Sequence, residues 1–143
     1  MKRLAFVFIL AQLSIAISCT SDKIFVQNEN TEWWLPILQK HNLKLGAYNN
    51  FDNVFEMGME GNSINNGICT LKVATVLIKD SRNNSYVLIE ADTIYHNIRE
   101  GVLDVKSGLA KVYKMDADEP LVVHKAVSKV TVGRRAGEFQ FVM

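Results

Sequence analysis

Four small residues, Ala74, Ala91, Gly108 and Ala126, follow one another at intervals of 17, 17 and 18 positions. Each sits in the same local pattern. Three positions earlier come Leu71, Leu88, Val105 and Val123, and five earlier Cys69, Tyr86, Leu103 and Leu121. Four positions later come Ile78, Tyr95, Val112 and Val130. The stretches between (79–85, 97–101, 114–120 and 133–138) are polar or broken by Gly and Pro. Apolar-patterned runs of roughly 10–13 residues separated by short turn-forming segments describe β-strands joined by tight loops. Phe139 to Val142 supplies a last strand.

The offsets carry a second constraint. Side chains alternate faces along a strand. Positions five and three before the small residue have one parity; the small residue and the position four after it have the other. A parity switch inside a strand requires a bulge or sharp bend, which also increases twist. Ala or Gly at the bend permits close backbone approach. The expected fold is therefore mainly β: an antiparallel meander of bent strands forming a curled sheet, a jelly roll or a small barrel. A period of 17–18 residues also suits one coil of a parallel β-solenoid. The charged intervening segments read as hairpin loops, which favours the meander.

Ahead of the repeat, which runs from about residue 68 to 132, one N-terminal α-helix is expected. Pro36 suits a first helical position, Ile37, Leu38, His41 and Leu45 share one face, and Gly46 suits the stop. Trp33 and Trp34 precede it, suited either to a headgroup zone or to the end of the β core. Tyr48 to Phe51 reads as a turn, Asn53 to Met59 as a first strand, and Gly61 to Gly67 as a loop. The organisation read from the sequence is thus residues 1–18 as a leader, 19–32 as a tether and 33–143 as a single β-rich domain.

The leader reading rests on Lys2 and Arg3, the apolar run Leu4–Leu13, and small residues leading up to Cys19. That is the form of a secretory signal peptide, and it is shorter than the roughly 20 apolar residues of a membrane-spanning helix. Ala16-Ile17-Ser18-Cys19 resembles the lipobox of bacterial lipoproteins. The resemblance implies lipid attachment at Cys19 and a membrane partner through that lipid. Thr20, where an Asp would mark retention at the inner membrane, implies the outer membrane. Ala16-x-Ser18 also fits ordinary secretion, which would leave Cys19 free to pair with Cys69.

Removing residues 1–18 leaves 16 − 2 = 14 basic and 15 acidic side chains. No domain-wide positive field exists to draw nucleic acid. No Gly-rich phosphate loop or G-x-S-x-G elbow occurs, and the three histidines have no metal-binding spacing. Asp92, His96, Asp104 and His124 are the one set that neighbouring strands could bring together, yet each suits an ordinary surface or strand-end role. No catalytic residue, metal or cofactor is expected.

Val87-Leu-Ile-Glu-Ala-Asp-Thr-Ile-Tyr-His96 and Gly101-Val-Leu-Asp-Val-Lys-Ser-Gly-Leu-Ala-Lys-Val112 resemble the repeat of the OstA-like periplasmic proteins of lipopolysaccharide transport. The match falls on Ala91, Asp92, Tyr95, Leu103, Gly108 and Val112. It implies an open-seamed antiparallel sheet whose apolar groove holds acyl chains. Asp is absent after Ala74 and Ala126.

The expected function is a non-catalytic binding or scaffolding module at a bacterial envelope. An OstA-like lipid carrier is the second reading, with Leu71, Leu88, Tyr95, Val105, Val112 and Val123 lining a groove or core. A periplasmic inhibitor or immunity protein, presenting Asn62–Gly67 and Lys79–Ser85 to another envelope protein, is the third.

Overall fold

The structure is a computed structural model that describes residues 32–133 and 139–143. The leader, Cys19, the tether as far as Thr31, and Arg134 and Arg135 lie outside the described residues. The chain divides into two units, Met1–Leu35 and Pro36–Met143.

Seven strands form one antiparallel sheet in sequential order: β1 (Ala47–Asn50), β2 (Val54–Asn65), β3 (Ile68–Asp80), β4 (Ser85–Asn97), β5 (Val102–Lys114), β6 (Val122–Val132) and β7 (Phe139–Val142). β1 and β7 are the two edges, so the sheet is not closed into a barrel. Antiparallel pairing throughout excludes the solenoid.

The repeat is a register. Gly58 pairs with Ala74, Ala74 with Ala91, Ala91 with Gly108, and Gly108 with Val127. One row of small residues thus crosses the middle of the sheet, shifted by one at β6. The turns repeat as well. Gly67, Asn84 and Gly101 have positive φ (76°, 50° and 69°) and lie 17 apart. Their carbonyls accept from the N–H groups of Ile98, Met115 and Val132, each 31 positions on.

The expected bends lie beside the small residues. Val73, Ser107 and Ala126 have φ of 52°, 56° and 60°, a region that a β-branched residue such as Val rarely enters. In β2, Met59 and Glu60 together oppose Val73. Ala126 is an extra residue between the pairs Gly108–Val127 and Leu109–Lys125. Bulges therefore line up across the sheet. The reason for small residues there is contact: a Cβ on Gly58 would run into the Gly61 carbonyl, and one on Gly108 into Val105.

Bending folds the sheet over its own inner face. Glu56 pairs with Val76, on one side of the Val73 bend, and His96 with Cys69, on the other; yet Glu56 and His96 are bonded at 2.6 Å. At the opposite edge His124 lies 4.9 Å from Phe141 between ring centroids, again joining the two halves. Between them lies one apolar core, including Leu71, Ala74, Val76, Ile89, Ile94 and Leu103.

The outer face of one half is buried too. Phe55, Met57, Leu77, Tyr86, Leu88 and Tyr113 are at most 4% exposed, and His41 reaches Tyr86 and Tyr113. The helix α1 (Trp34–Lys40) that leads to His41 starts and stops elsewhere than expected. Pro36 is its third residue, still within the turn whose N–H groups have no intrahelical acceptor. Asn42, with φ 56°, ends it, not Gly46. Asn42 N–H bonds the Gln39 carbonyl and Leu43 N–H the Leu38 carbonyl, the paired bonds of a Schellman motif. Leu45 lies beyond the helix, half exposed.

Three further expectations are corrected. Residues 47–50 are strand, not turn. β2 continues through Gly61–Asn65, so the expected loop shrinks to Asn66-Gly67. With φ of 53° and 76° at these two residues, that turn is the type I′ form Asn-Gly favours, because its twist matches the strands. Lys79 and Asp80 likewise belong to β3.

Candidate functional site

Where the folded halves meet, a cleft of about 470 Å³ opens between the β1–β2 turn and the β4–β5 loop, with Val132 and Gly133 of β6's end completing it. The turn and the start of β2 contribute Phe51, Asn53 and Val54; the end of β4 contributes His96 and the loop Ile98 to Gly101. Both walls are fixed by backbone bonds. Phe51 N–H donates to the Val54 carbonyl at 2.8 Å, and Lys79 N–H to that of Asn53 at 2.8 Å. In the loop, Glu100 N–H bonds the Asn97 side-chain oxygen at 3.1 Å, and Gly101 N–H the Asn97 carbonyl at 2.9 Å.

His96 braces the cleft from within. It is 6% exposed and its Nδ1 lies 2.6 Å from Oε1 of Glu56, which is fully buried. Asn49 Nδ2 donates to the other carboxylate oxygen at 2.9 Å. A carboxylate accepting from Nδ1–H fixes the ring's tautomer and leaves Nε2 as the free ring nitrogen. Phe51 holds the ring edge-on at 5.5 Å.

The network runs on to Cys69. Asn49 Nδ2 lies 3.2 Å from its sulfur, and the thiol lies 3.2 Å from Asn62 Oδ1. Burial, then the neighbouring Glu56 charge, pushes the Cys69 thiol up to about 12. It stays protonated at neutral pH and is no nucleophile, since the thiolate is the reactive form. Asn62 also donates to the Ala47 carbonyl at 3.1 Å, tying edge strand β1 to this cluster.

Asn53 differs from these. Its Nδ2 is buried without a hydrogen-bond partner among the described residues. Asn53 also belongs to the cleft lining.

On the outer face, His41 Nε2 lies 2.8 Å from the Tyr86 hydroxyl, and Tyr86 stacks on Tyr113 at 5.1 Å. Burial lowers the His41 pKa, helped by the Lys40 charge, and raises Tyr86 to about 12. These groups are held neutral in packing positions.

The groove candidates divide between faces. Leu71 and Val105 are in the inner core and Val112 packs against it. Leu88 is buried on the outer face, while Tyr95 and Val123 are 37% and 42% exposed. The division follows from antiparallel order: because the bend is a straight line across the sheet, it precedes Ala74 and Gly108 in sequence but follows Ala91. Of the polar set, His96 bonds Glu56 rather than Asp92, Asp104 or His124. Asp92 and Asp104 are exposed. Sequence reasoning missed Glu56, Asn53 and Arg99. One signal for Glu56 was legible, a lone carboxylate inside the apolar run Val54–Met57.

Among the described residues no group of three or more His, Cys, Asp or Glu is placed to hold a metal ion, and no helix is long and apolar enough to cross a membrane. No family model, curated protein or solved structure matches the chain.

Proposed function

We propose that this protein is a binding module of a bacterial envelope, exported by its leader, anchored through lipid on Cys19, and taking its ligand in the cleft braced by His96. The observation that carries the binding reading is the construction of that cleft. The buried Glu56–His96 hydrogen bond fixes how the ring is turned. Here it orients a ring in the wall of a 470 Å³ opening, within the size range of small-ligand pockets. The walls combine apolar surface from Phe51, Val54, Ile98 and Val132 with a few polar groups, the usual makeup of such sites. The Cys69 thiol, tied into the network behind His96 and pushed up to about 12, is not offered as a nucleophile at neutral pH.

The lipid-carrier reading draws on the OstA-like motif and on the unclosed sheet. It needs an open apolar trough, whereas Leu71 and Val105 lie in an interior filled by the protein's own side chains. The cleft reading is therefore preferred.

Anchoring is tested by labelling cells with radioactive palmitate. Wild-type protein is expected to take up label and sediment with membranes. Cys19→Ser is expected to lose both; equal sedimentation of the unlabelled variant would contradict the lipid anchor.

A further inference from the structure

The cleft's rim carries two opposite charges side by side, Arg99 and Glu100. Neither side chain is hydrogen-bonded or ion-paired to any described residue, the other included. Asn97 ties the backbone N–H groups of Glu100 and Gly101, and from this loop the two exposed side chains project at the cleft's rim. The same lining holds His96, with Nδ1 committed to Glu56, and Asn53, whose Nδ2 has no hydrogen-bond partner among the described residues. The cleft thus presents a cation and an anion side by side at its rim, with His96 and Asn53 in the same lining.

We infer that the cleft binds a small zwitterion with an apolar body, of the class of apolar α-amino acids. Its carboxylate pairs with Arg99, whose planar fork suits bidentate contact with a carboxylate. Its ammonium faces Glu100. Its side chain lies against Phe51, Val54, Ile98 and Val132. A simple anion would meet Glu100 unpaired, and a simple cation would meet Arg99. Like-charge juxtaposition at the rim disfavours either, whereas a zwitterion pairs both side chains at once. No bond is made or broken in this binding.

The inference rests on the cleft being the ligand site, and its test separates the two. The full-length ¹⁵N-labelled chain is titrated with L-leucine, N-acetyl-leucine, leucinamide and N-acetyl-leucinamide, following the amide signals of His96 and Ile98 to Gly101. L-leucine is expected to shift these signals, and each singly blocked compound to bind at least about tenfold more weakly, the loss of one charge-assisted contact. Arg99→Gln is expected to abolish the preference for leucine over leucinamide, and Glu100→Gln that over N-acetyl-leucine; both residues are exposed, so the fold survives. Equal binding of N-acetyl-leucinamide would overturn the zwitterion inference and keep the cleft as a binding site. No shift with any of the four compounds would overturn the zwitterion inference, and the cleft reading itself falls only if the purified protein carries its ligand elsewhere.

Discussion

Glu56 is fully buried and receives hydrogen bonds from two residues on different strands, Asn49 of β1 and His96 of β4. Truncating either member of the Glu56–His96 pair strands the other. Glu56→Ala is expected to cost on the order of 3 kcal/mol in urea denaturation, in the range for breaking a buried pair. The Glu56→Ala/His96→Ala double variant should cost clearly less than the sum of the single variants, because interacting neighbours are non-additive. Strict additivity would show that the two side chains do not stabilise one another. A second residue-scale test concerns His41. Its pKa is lowered in the folded protein, so the unfolded chain binds the proton more readily. Stability should then fall as pH drops through the unfolded value of about 6.5 towards the folded one. Tyr86 acts in the opposite direction: raised from 10.0 to about 12, it removes stability as pH rises across that interval. Denaturation of wild type against His41→Gln checks the acid side, where the variant should show the shallower slope. Cys69, pushed up to about 12 and fully buried, should resist iodoacetamide in the native protein at about pH 8 and react once unfolded, read by mass mapping of its peptide.

Each strand owes its shape to one position near its middle. Val73 has φ 52° and is 45% exposed, a conformation that costs an L-residue about 1–2 kcal/mol. Val73→Gly is therefore expected to leave stability within about 1 kcal/mol of wild type or to raise it. Val76→Gly, three residues along in the same strand and fully buried, should cost about 3 kcal/mol or more through lost burial and backbone freedom. Similar losses at the two positions would mean that Val73 is ordinary strand. The bend itself was legible, because its parity switch is written into four copies of a pattern. Its strand-by-strand position was not. Antiparallel order places the bend before the small residue in β3 and after it in β4, and sequence alignment compares copies as though they ran in parallel. That is why Leu71 and Leu88 share a column in the sequence and opposite faces in the sheet. The helix end was misplaced for a different reason: Asn42 took the left-handed position that the reading reserved for Gly46. β1 was missed because Ala47–Asn50 is short, polar at its end and mostly exposed, so it carries no apolar alternation.

Within Pro36–Met143 the folded-over sheet does two jobs. It builds a core from both halves of the same strands, and it brings the β1–β2 turn against the β4–β5 loop to make the cleft. The cleft could not be read from the sequence, since its members span residues 51 to 133 and meet only because the strands bend. The expected export signal, by contrast, is read from consecutive residues alone and needs no fold to be seen. The central claim is that the opening at this seam, and not the sheet's interior, receives the ligand. Native mass spectrometry of the protein purified from bacterial envelopes tests it directly. The expected result is an adduct of at most a few hundred daltons, matching a pocket of this size, that is lost in Arg99→Gln. A co-purified acyl lipid that persists in Arg99→Gln would contradict the account and place the ligand between the layers of the sheet.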